Sequence, residues 1–456
     1  MIRKTSDNLT MDGLNEEYLD FVLSNFSAEA AGWEDMKRYL KNCTAISNEG
    51  LHLDACYIPK MFTKLAMDAL KKASSTLYGI LEKVTARYMA TAEYRALFPF
   101  STELESLILK DAGYGVTIPV MRADIFFNED DFSFKFCEIN TDGASAMNEN
   151  RELVNAIRHT PAYHEFKKRY NLQPFELFSS FVEMFLSVYR DYSGSEKLPH
   201  VAIVDFTESG IKREFQIFKR AFIDHGVDAT IAEIRKLQYK NGELKTPDGF
   251  KIDAVYRRAV TSECMEKCAE IKPFIEAVKD GAVCLIGAFK TQVAHNKELF
   301  IVLRDEATKS FLSEEENAFV EAHVPLTYRL NERTLEETDI LKNKDKWLIK
   351  PADRYGSKGV LAGASTDIKT WQTEVLSAKG FVAQEYCPPH KTKNIFFEKG
   401  EAIVESYNNM TGLYMYAGKL TGLYSRLYRP LVTSDADDGR VAPSFTVADP
   451  SKPEKK

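Results

Sequence analysis

From residue 10 to about 115, apolar positions recur at three- and four-residue spacing, which predicts a mainly helical region. Leu19, Phe21, Val22, Leu23 and Phe26 make one stripe, and Met, Leu and Ala repeat at the same spacing from Tyr57 to Tyr88. Such stripes are core packing and carry no chemistry. At Val116 the period drops to two, predicting a strand to Phe127, a polar turn from Asn128 to Asp131 and a returning strand to Asn140. Helical spacing resumes from Glu149 to about Tyr192, and Asp191 to Pro199 reads as a linker.

A β-α-β pattern follows. His200 to Asp205 predicts a buried strand, Ser209 to His225 a helix and Val227 to Ala232 a second strand. A hairpin is expected around Asn241-Gly242, then a third strand from Ile252 to Arg258. This is the pattern of a small three-layer α/β domain. No Gly-x-Gly-x-x-Gly follows its first strand, so a dinucleotide fold is not indicated. The last third is strand-rich, with candidates at Trp347 to Pro351, Gly359 to Gly363, Phe381 to Tyr386, Asn394 to Phe397 and Ala402 to Tyr407. From Ser434 the chain is polar and expected to fray.

The 456 residues point to two to four domains at roughly 100–200 residues each. With 44% hydrophobic and 28% charged residues, neither a disordered chain nor a collagen-like fibre fits. A net charge of −7 gives no electrostatic reason to bind nucleic acid or an anionic membrane. No run approaches the ~18 apolar residues of a spanning helix. Met1 to Thr10 has basic residues without an apolar stretch behind them, so a soluble, cytoplasmic protein is expected. The seven cysteines are irregularly spaced, and Cys264 and Cys268 have no second Cys/His pair at zinc spacing. Reduced thiols are expected.

Chemistry first appears in the charged hairpin. Side chains alternate across a strand, so Arg122, Asp124 and Phe126 share one face, as do Phe136, Glu138 and Asn140. A turn centred on Asp131 pairs Phe126 with Phe136, Asp124 with Glu138 and Arg122 with Asn140. Like charges directly opposed are destabilising, and a cation between them reverses the sign. Asp124, Glu138 and the Asn140 carbonyl are hard oxygen donors suited to Mg²⁺, and Arg122 stands where it can neutralise a phosphoryl oxygen. The other reading is a solvated hairpin face on which Arg122 pairs with Asp124 or Glu138.

Two lysines stand elsewhere in the chain. Lys350 ends the apolar run Trp347-Leu-Ile, and a polar loop with Gly356 and Gly359 leads into the next strand. Backbone N–H groups of such a loop can lie over a polyphosphate, and the other reading is an ordinary turn with a basic residue beside it. The P-loop spacing is absent. Lys297 sits at a predicted helix start, either with an anionic partner that the dipole favours there or as an ordinary exposed helical lysine. Gln384-Glu385-Tyr386 closes an apolar strand before Pro388-Pro389, either as a hinge that reads an adenine edge or as an ordinary strand end.

Arg122-x-Asp124, Glu138-x-Asn140, Asn296-Lys297 and Lys350-Pro with its glycine loop occur in an order that resembles the synthetase domain of glutathionylspermidine synthetase. The wider class is the circularly permuted ATP-grasp ligases, which includes eukaryotic-type glutathione synthetase. The resemblance spans roughly residues 115 to 430. It implies an α/β (α+β) ATP-grasp fold of glutathione synthetase type. The expected parts are a helical region at 1–115, a first ATP-grasp part with the hairpin at 116–195, an α/β substrate domain at 196–290, a second ATP-grasp part at 291–433 and a polar tail at 434–456.

The resemblance further implies that Asp124, Glu138 and Asn140 bind Mg²⁺ and that Arg122 stabilises the phosphoryl group in transfer. Lys297 and Lys350 hold the ATP phosphates, Arg354, Gly356, Ser357, Lys358 and Gly359 form a mobile loop, and Gln384, Glu385 and Tyr386 contact adenine. Thr141 to Ser145, with Asp142 and Ser145, resembles the segment that reaches a peptide substrate. Arg258 is a further candidate substrate contact. Arg426 is another, equally readable as a salt bridge at the core rim. The segment after the metal motif departs from the family's Thr/Pro/Ser-rich run, and nothing resembles the N-terminal amidase domain of the bifunctional enzymes. Glutathione and spermidine are therefore not implied as substrates.

The implied activity is an ADP-forming carboxylate–amine ligase acting on small-molecule or peptide substrates. A carboxylate takes the γ-phosphoryl group of ATP to give an acyl phosphate, and an amine displaces phosphate. The alternatives are a non-catalytic ATP-binding scaffold and a phosphotransferase that stops at a phosphorylated product.

Overall fold

The computed structural model describes residues 9–45, 53–354, 359–432 and 439–447. Its centre is a six-stranded antiparallel sheet in the order Gly439–Ala442, Lys419–Tyr428, Glu401–Tyr416, Val120–Phe127, Phe134–Asn140, with Lys391–Glu398 paired along the first half of Glu401–Tyr416. The helix Lys64–Ala90 packs on one face. Thr63 caps its first turn, its side chain accepting from Ala66 N, and Leu70, Leu77, Leu81, Val84 and Tyr88 make its buried stripe. The three- and four-residue period predicted there thus marks the core-facing side of a 27-residue helix.

The α/β unit contains a parallel sheet in the order Cys284–Ile286, Ala254–Arg257, Val201–Asp205, Ala229–Glu233. Alternate residues of Val201–Asp205 enter different cores: Ala202 and Val204 join one, Val201 and Ile203 the other. A strand buried on both faces has to be apolar throughout, and this one is up to its last residue. Asn241 and Gly242 both adopt positive φ (52° and 75°) in the expected hairpin. The fourth strand, Cys284–Ile286, is three residues long and shows no alternation to read.

A second antiparallel sheet runs Thr327–Arg329, Phe381–Glu385, Trp347–Pro351, Leu361–Ala362. Trp371, on the helix Ile368–Ser377, is fully buried in the small core beside it. Lys297 stands between two short helices, Gln292–His295 and Leu299–Leu303, rather than at the start of one.

Three further expectations are corrected. Lys60–Phe62 is a strand inside the mainly helical first region. The helical stretch after Glu149 is broken at Asn171, whose φ is +45°, by the strand Leu172–Pro174. In the polar tail, Gly439–Ala442 and Ser444–Val447 form strands: Val441, Ala442 and Phe445 are buried, and Ser444–Val447 pairs with both Lys60–Phe62 and Leu172–Pro174. Burying that apolar run offsets the ordering of the polar residues around it. Among the described residues no helix is long and apolar enough to cross a membrane.

Candidate functional site

The hairpin pairs Arg122 with Asn140 and Asp124 with Glu138, in the expected register. Past that point a bulge at Cys137 shifts the ladder, so Phe136 opposes Ile125 and not Phe126. A bulge frees a carbonyl from the ladder. Here Cys137 O accepts from Lys350 Nζ at 3.2 Å, which brings the lysine of the second sheet onto the hairpin.

Arg122 grips Asp124 with two hydrogen bonds, Nε to Oδ1 at 2.7 Å and Nη2 to Oδ2 at 2.8 Å. The pair is buried, Asp124 being only 1% exposed, so the solvated-face reading is excluded although its ion pair is present. The Asn140 amide donates to both Asp124 Oδ2 and Glu138 Oε1 at 3.2 Å each. Lys297 Nζ lies 3.9 Å from Glu138 Oε2. The repulsion between the opposed carboxylates is thus offset within the protein by an amide, a guanidinium and lysines.

These charges set the protonation of the carboxylates. Burial pushes Glu138 up, but Lys297, Lys350 and Arg122 outweigh it and hold the carboxyl down at about 2. Asp124 sits above its ordinary value because its burial outweighs Arg122. Burial also lowers Lys297, against the pull of Glu138.

The donor set suits a hard cation in its chemistry: an ionised Glu138, a neighbouring Asp124 and an Asn140 amide able to turn its carbonyl inward. Both Asp124 oxygens are committed to Arg122, so Glu138 and Asn140 are the donors most open to a metal. Among the described residues no group of three His, Cys, Asp or Glu is placed to hold an ion.

Lys350 is buried and donates to Gln384 Oε1 at 2.8 Å, while Gln384 Nε2 reaches Thr327 Oγ1 at 3.4 Å. Gln384 therefore orients the lysine. The N–H groups of Glu385 and Tyr386 donate to Leu326 O and Lys346 O, leaving the adenine-edge reading no amide donor at either residue. The loop root is held residue by residue. Ala352 O accepts from Lys297 N at 3.0 Å, Asp353 Oδ2 from Gln292 Nε2 at 3.0 Å, and Arg354 O from Lys297 Nζ at 2.6 Å. Gly359 has a φ of +80° and packs on Pro351. Gly356, Ser357 and Lys358 lie outside the described residues.

The segment after the metal motif is wired into two layers. Ser145 O accepts from Arg122 Nη1 at 3.0 Å and from Tyr414 OH at 2.6 Å. Asp142 is turned inward, 2.8 Å from Arg257 and accepting from Thr261 N at 2.5 Å, so it holds the segment to the α/β unit. Arg258 is buried beside it, donating to Glu214 Oε1 at 3.0 Å and to Gly143 O at 3.5 Å. The other Glu214 oxygen accepts from Asn148 N at 3.1 Å, at the start of the helix Met147–Ile157, which has no side-chain cap of its own. Arg426 donates to Tyr424 OH at 3.1 Å and lies over its ring.

The structure therefore joins Arg122, Asp124, Glu138, Asn140, Lys297, Lys350 and Gln384 into one contact chain, with Ser145 and Arg426 beside Arg122. Asp142 and Arg258 lie at the junction with the α/β unit. Gly412, Tyr414, Tyr424, Asp205, Glu214 and Gln292 were not legible as site residues. The tyrosines alternate with apolar residues and read as core, and the others lack a motif.

Asp205 ends its strand at the carboxyl edge of the parallel sheet, where the strand order reverses beside Ala254–Arg257. Ligands of open α/β sheets bind at such switch points. Burial pushes its carboxyl up to about 7, against the neighbouring Arg258. A carboxyl held above its unfolded value of 3.8 leaves stability complete below that value and erodes it as pH rises through about 7. Asp205→Asn is therefore expected to gain on the wild type from about pH 4 to 7, by up to ~1.4 kcal/mol per pH unit, in urea unfolding. A difference independent of pH would contradict the assignment.

No protein-family model and no curated protein sequence matches the chain. Among solved structures, a glutathione synthetase-like effector from Globodera pallida, GSS30 in its apo form, matches with a TM-score of 0.54 at 12% identity, covering 92% of this chain and 97% of that one. The fold is glutathione synthetase-like. This agrees with the mixed α/β, ATP-grasp-like architecture implied by the motif order. A provisionally named gamma-glutamylcysteine synthetase from Methylobacillus flagellatus matches at 11% identity over 87% of this chain and 91% of that one, with a TM-score of 0.40 that is too low to bear on the fold.

Proposed function

We propose that this glutathione synthetase-like chain is a cytoplasmic, ADP-forming carboxylate–amine ligase of the circularly permuted ATP-grasp class, resembling glutathionylspermidine synthetase in the order of its motifs. One observation carries the reading. Two lysines from separate segments, buried Lys350 and partly buried Lys297, converge on a hairpin whose Asp124, Glu138 and Asn140 are in register.

ATP is the phosphoryl donor. Lys350, oriented by Gln384, and Lys297, at the root of the glycine loop, are placed to hold its phosphates. Mg²⁺, held by Glu138 and Asn140 with Asp124 behind them, would neutralise phosphate charge. Arg122 supplies a fixed cation for the phosphoryl group in flight, and phosphoryl transfer asks for such alignment more than for a protein nucleophile. The carboxylate substrate enters from the Ser145 side, with Arg258 and Asp205 at the far end of the segment. Its acyl phosphate is then taken by an amine, which forms the amide and releases phosphate.

The bidentate Arg122–Asp124 pair favours a second reading, a scaffold that binds ATP without turning it over. Binding is the first test common to both. Lys350→Met is expected to weaken Mg·ATP binding by about 100-fold in calorimetry, the loss typical of removing one partner of a buried charge contact. Equal affinity in the variant would remove Lys350 from the nucleotide site.

A further inference from the structure

A row of residues crosses four strands on the site face: Glu138 opposes Asp124, Asp124 opposes Gly412, and Gly412 opposes Tyr424. The third place in the row has no side chain. A Cβ at Gly412 would stand 2.8 Å from Asp124 Oδ1 and 2.9 Å from Arg122 Cδ, closer than a carbon tolerates. Arg122 therefore lies across the glycine, and its guanidinium reaches the Tyr424 ring, 5.3 Å from the centroid.

The same ring takes a second cation. Arg426 lies 5.4 Å from the centroid and donates to the phenol oxygen at 3.1 Å, while that phenol donates to Glu149 Oε2 at 2.8 Å. Beyond Asp124 and the Tyr424 ring, the supports of Arg122 among the described residues are Ser145 O, which accepts from Nη1, and the Tyr414 ring, 5.9 Å away. A planar cation over an electron-rich ring is held in position while its remaining N–H groups stay available.

We infer that Tyr424 is a positioning residue for Arg122, and that Gly412 is the gap that lets the two meet. Tyr424 touches neither phosphate nor metal in this assignment. It acts by fixing the plane and depth of one guanidinium and by setting its spacing from Arg426. The kinetic part of the idea rests on the ligase reading, whereas the placement of Arg122 does not.

The test uses the full chain labelled with nitrogen-15 arginine. The Arg122 Nε–H signal is identified as the one missing from Arg122→Lys, and its exchange with water is measured in three further variants. Tyr424→Phe keeps the ring and is expected to keep the signal protected. Tyr424→Leu and Gly412→Ala are expected to speed exchange by roughly tenfold or more, with the circular dichroism of the wild type retained. Once an acid–amine pair is found, Tyr424→Leu should lower kcat by about 100-fold with KM for ATP little changed, and Tyr424→Phe should restore most of the rate. An Arg122 signal as protected in Tyr424→Leu as in the wild type overturns the proposal, whatever the activity. Absence of wild-type turnover with every pair would instead overturn the ligase reading and leave the exchange result to decide the placement.

Discussion

Arg122→Met is expected to lower the unfolding free energy by about 3–5 kcal/mol, the usual cost of stranding one member of a buried ion pair. Asp124 is 1% exposed and loses both hydrogen bonds of its bidentate partner. It is also left opposite Glu138, with only the Asn140 amide between the two carboxylates. The deficit should shrink as pH falls, because a stranded Asp124 takes up a proton more readily in the folded state than in the unfolded one. Urea unfolding at several pH values, with an unchanged m-value, checks this. A loss below 1 kcal/mol at neutral pH, or one that grows as the solution is acidified, would contradict the pairing. The double variant Arg122→Met/Asp124→Leu should recover much of the stability with no turnover, which separates the cost of the pair from its chemistry.

The second large effect lies away from the site. Lys60 is almost wholly buried and pairs with an equally buried Glu129, with Thr392 Oγ1 accepting a further hydrogen bond at 2.8 Å. Asn409 donates to the same Glu129 carboxylate. Four segments meet there: the strand Lys60–Phe62, the hairpin turn, Lys391–Glu398 and Glu401–Tyr416. Lys60→Met should cost about 3–5 kcal/mol because the buried Glu129 then loses the cation it is paired with. Adding Glu129→Gln removes the charge and keeps an acceptor for Asn409, so Lys60→Met/Glu129→Gln should recover at least half of the loss. If the double variant is no more stable than Lys60→Met, stranded charge is not the cause.

The hairpin was legible because a two-residue period places Arg122, Asp124, Glu138 and Asn140 on one face whatever surrounds them. Its one failure has a local cause. The bulge at Cys137 obeys no alternation, yet it is what presents a carbonyl to Lys350. Lys297 and Lys350 could be named, but their convergence on Glu138 could not, since it depends on how distant segments pack. The same holds for Asp205, Glu214 and Tyr424, whose roles come from partners far along the chain. The tail misled for a different reason: Val441 to Val447 is a short apolar run among polar residues, and its partners are strands at Lys60–Phe62, Leu172–Pro174 and Lys419–Tyr428.

The most direct test of ligase chemistry follows an oxygen atom. Acid and amine pairs are first screened with Mg·ATP for ADP release, and the active acid is then labelled with oxygen-18 in its carboxylate. Passage through an acyl phosphate predicts one labelled oxygen in each inorganic phosphate, and full ADP release only when acid and amine are both present. Unlabelled phosphate, or ADP formed at the full rate without the amine, would contradict it.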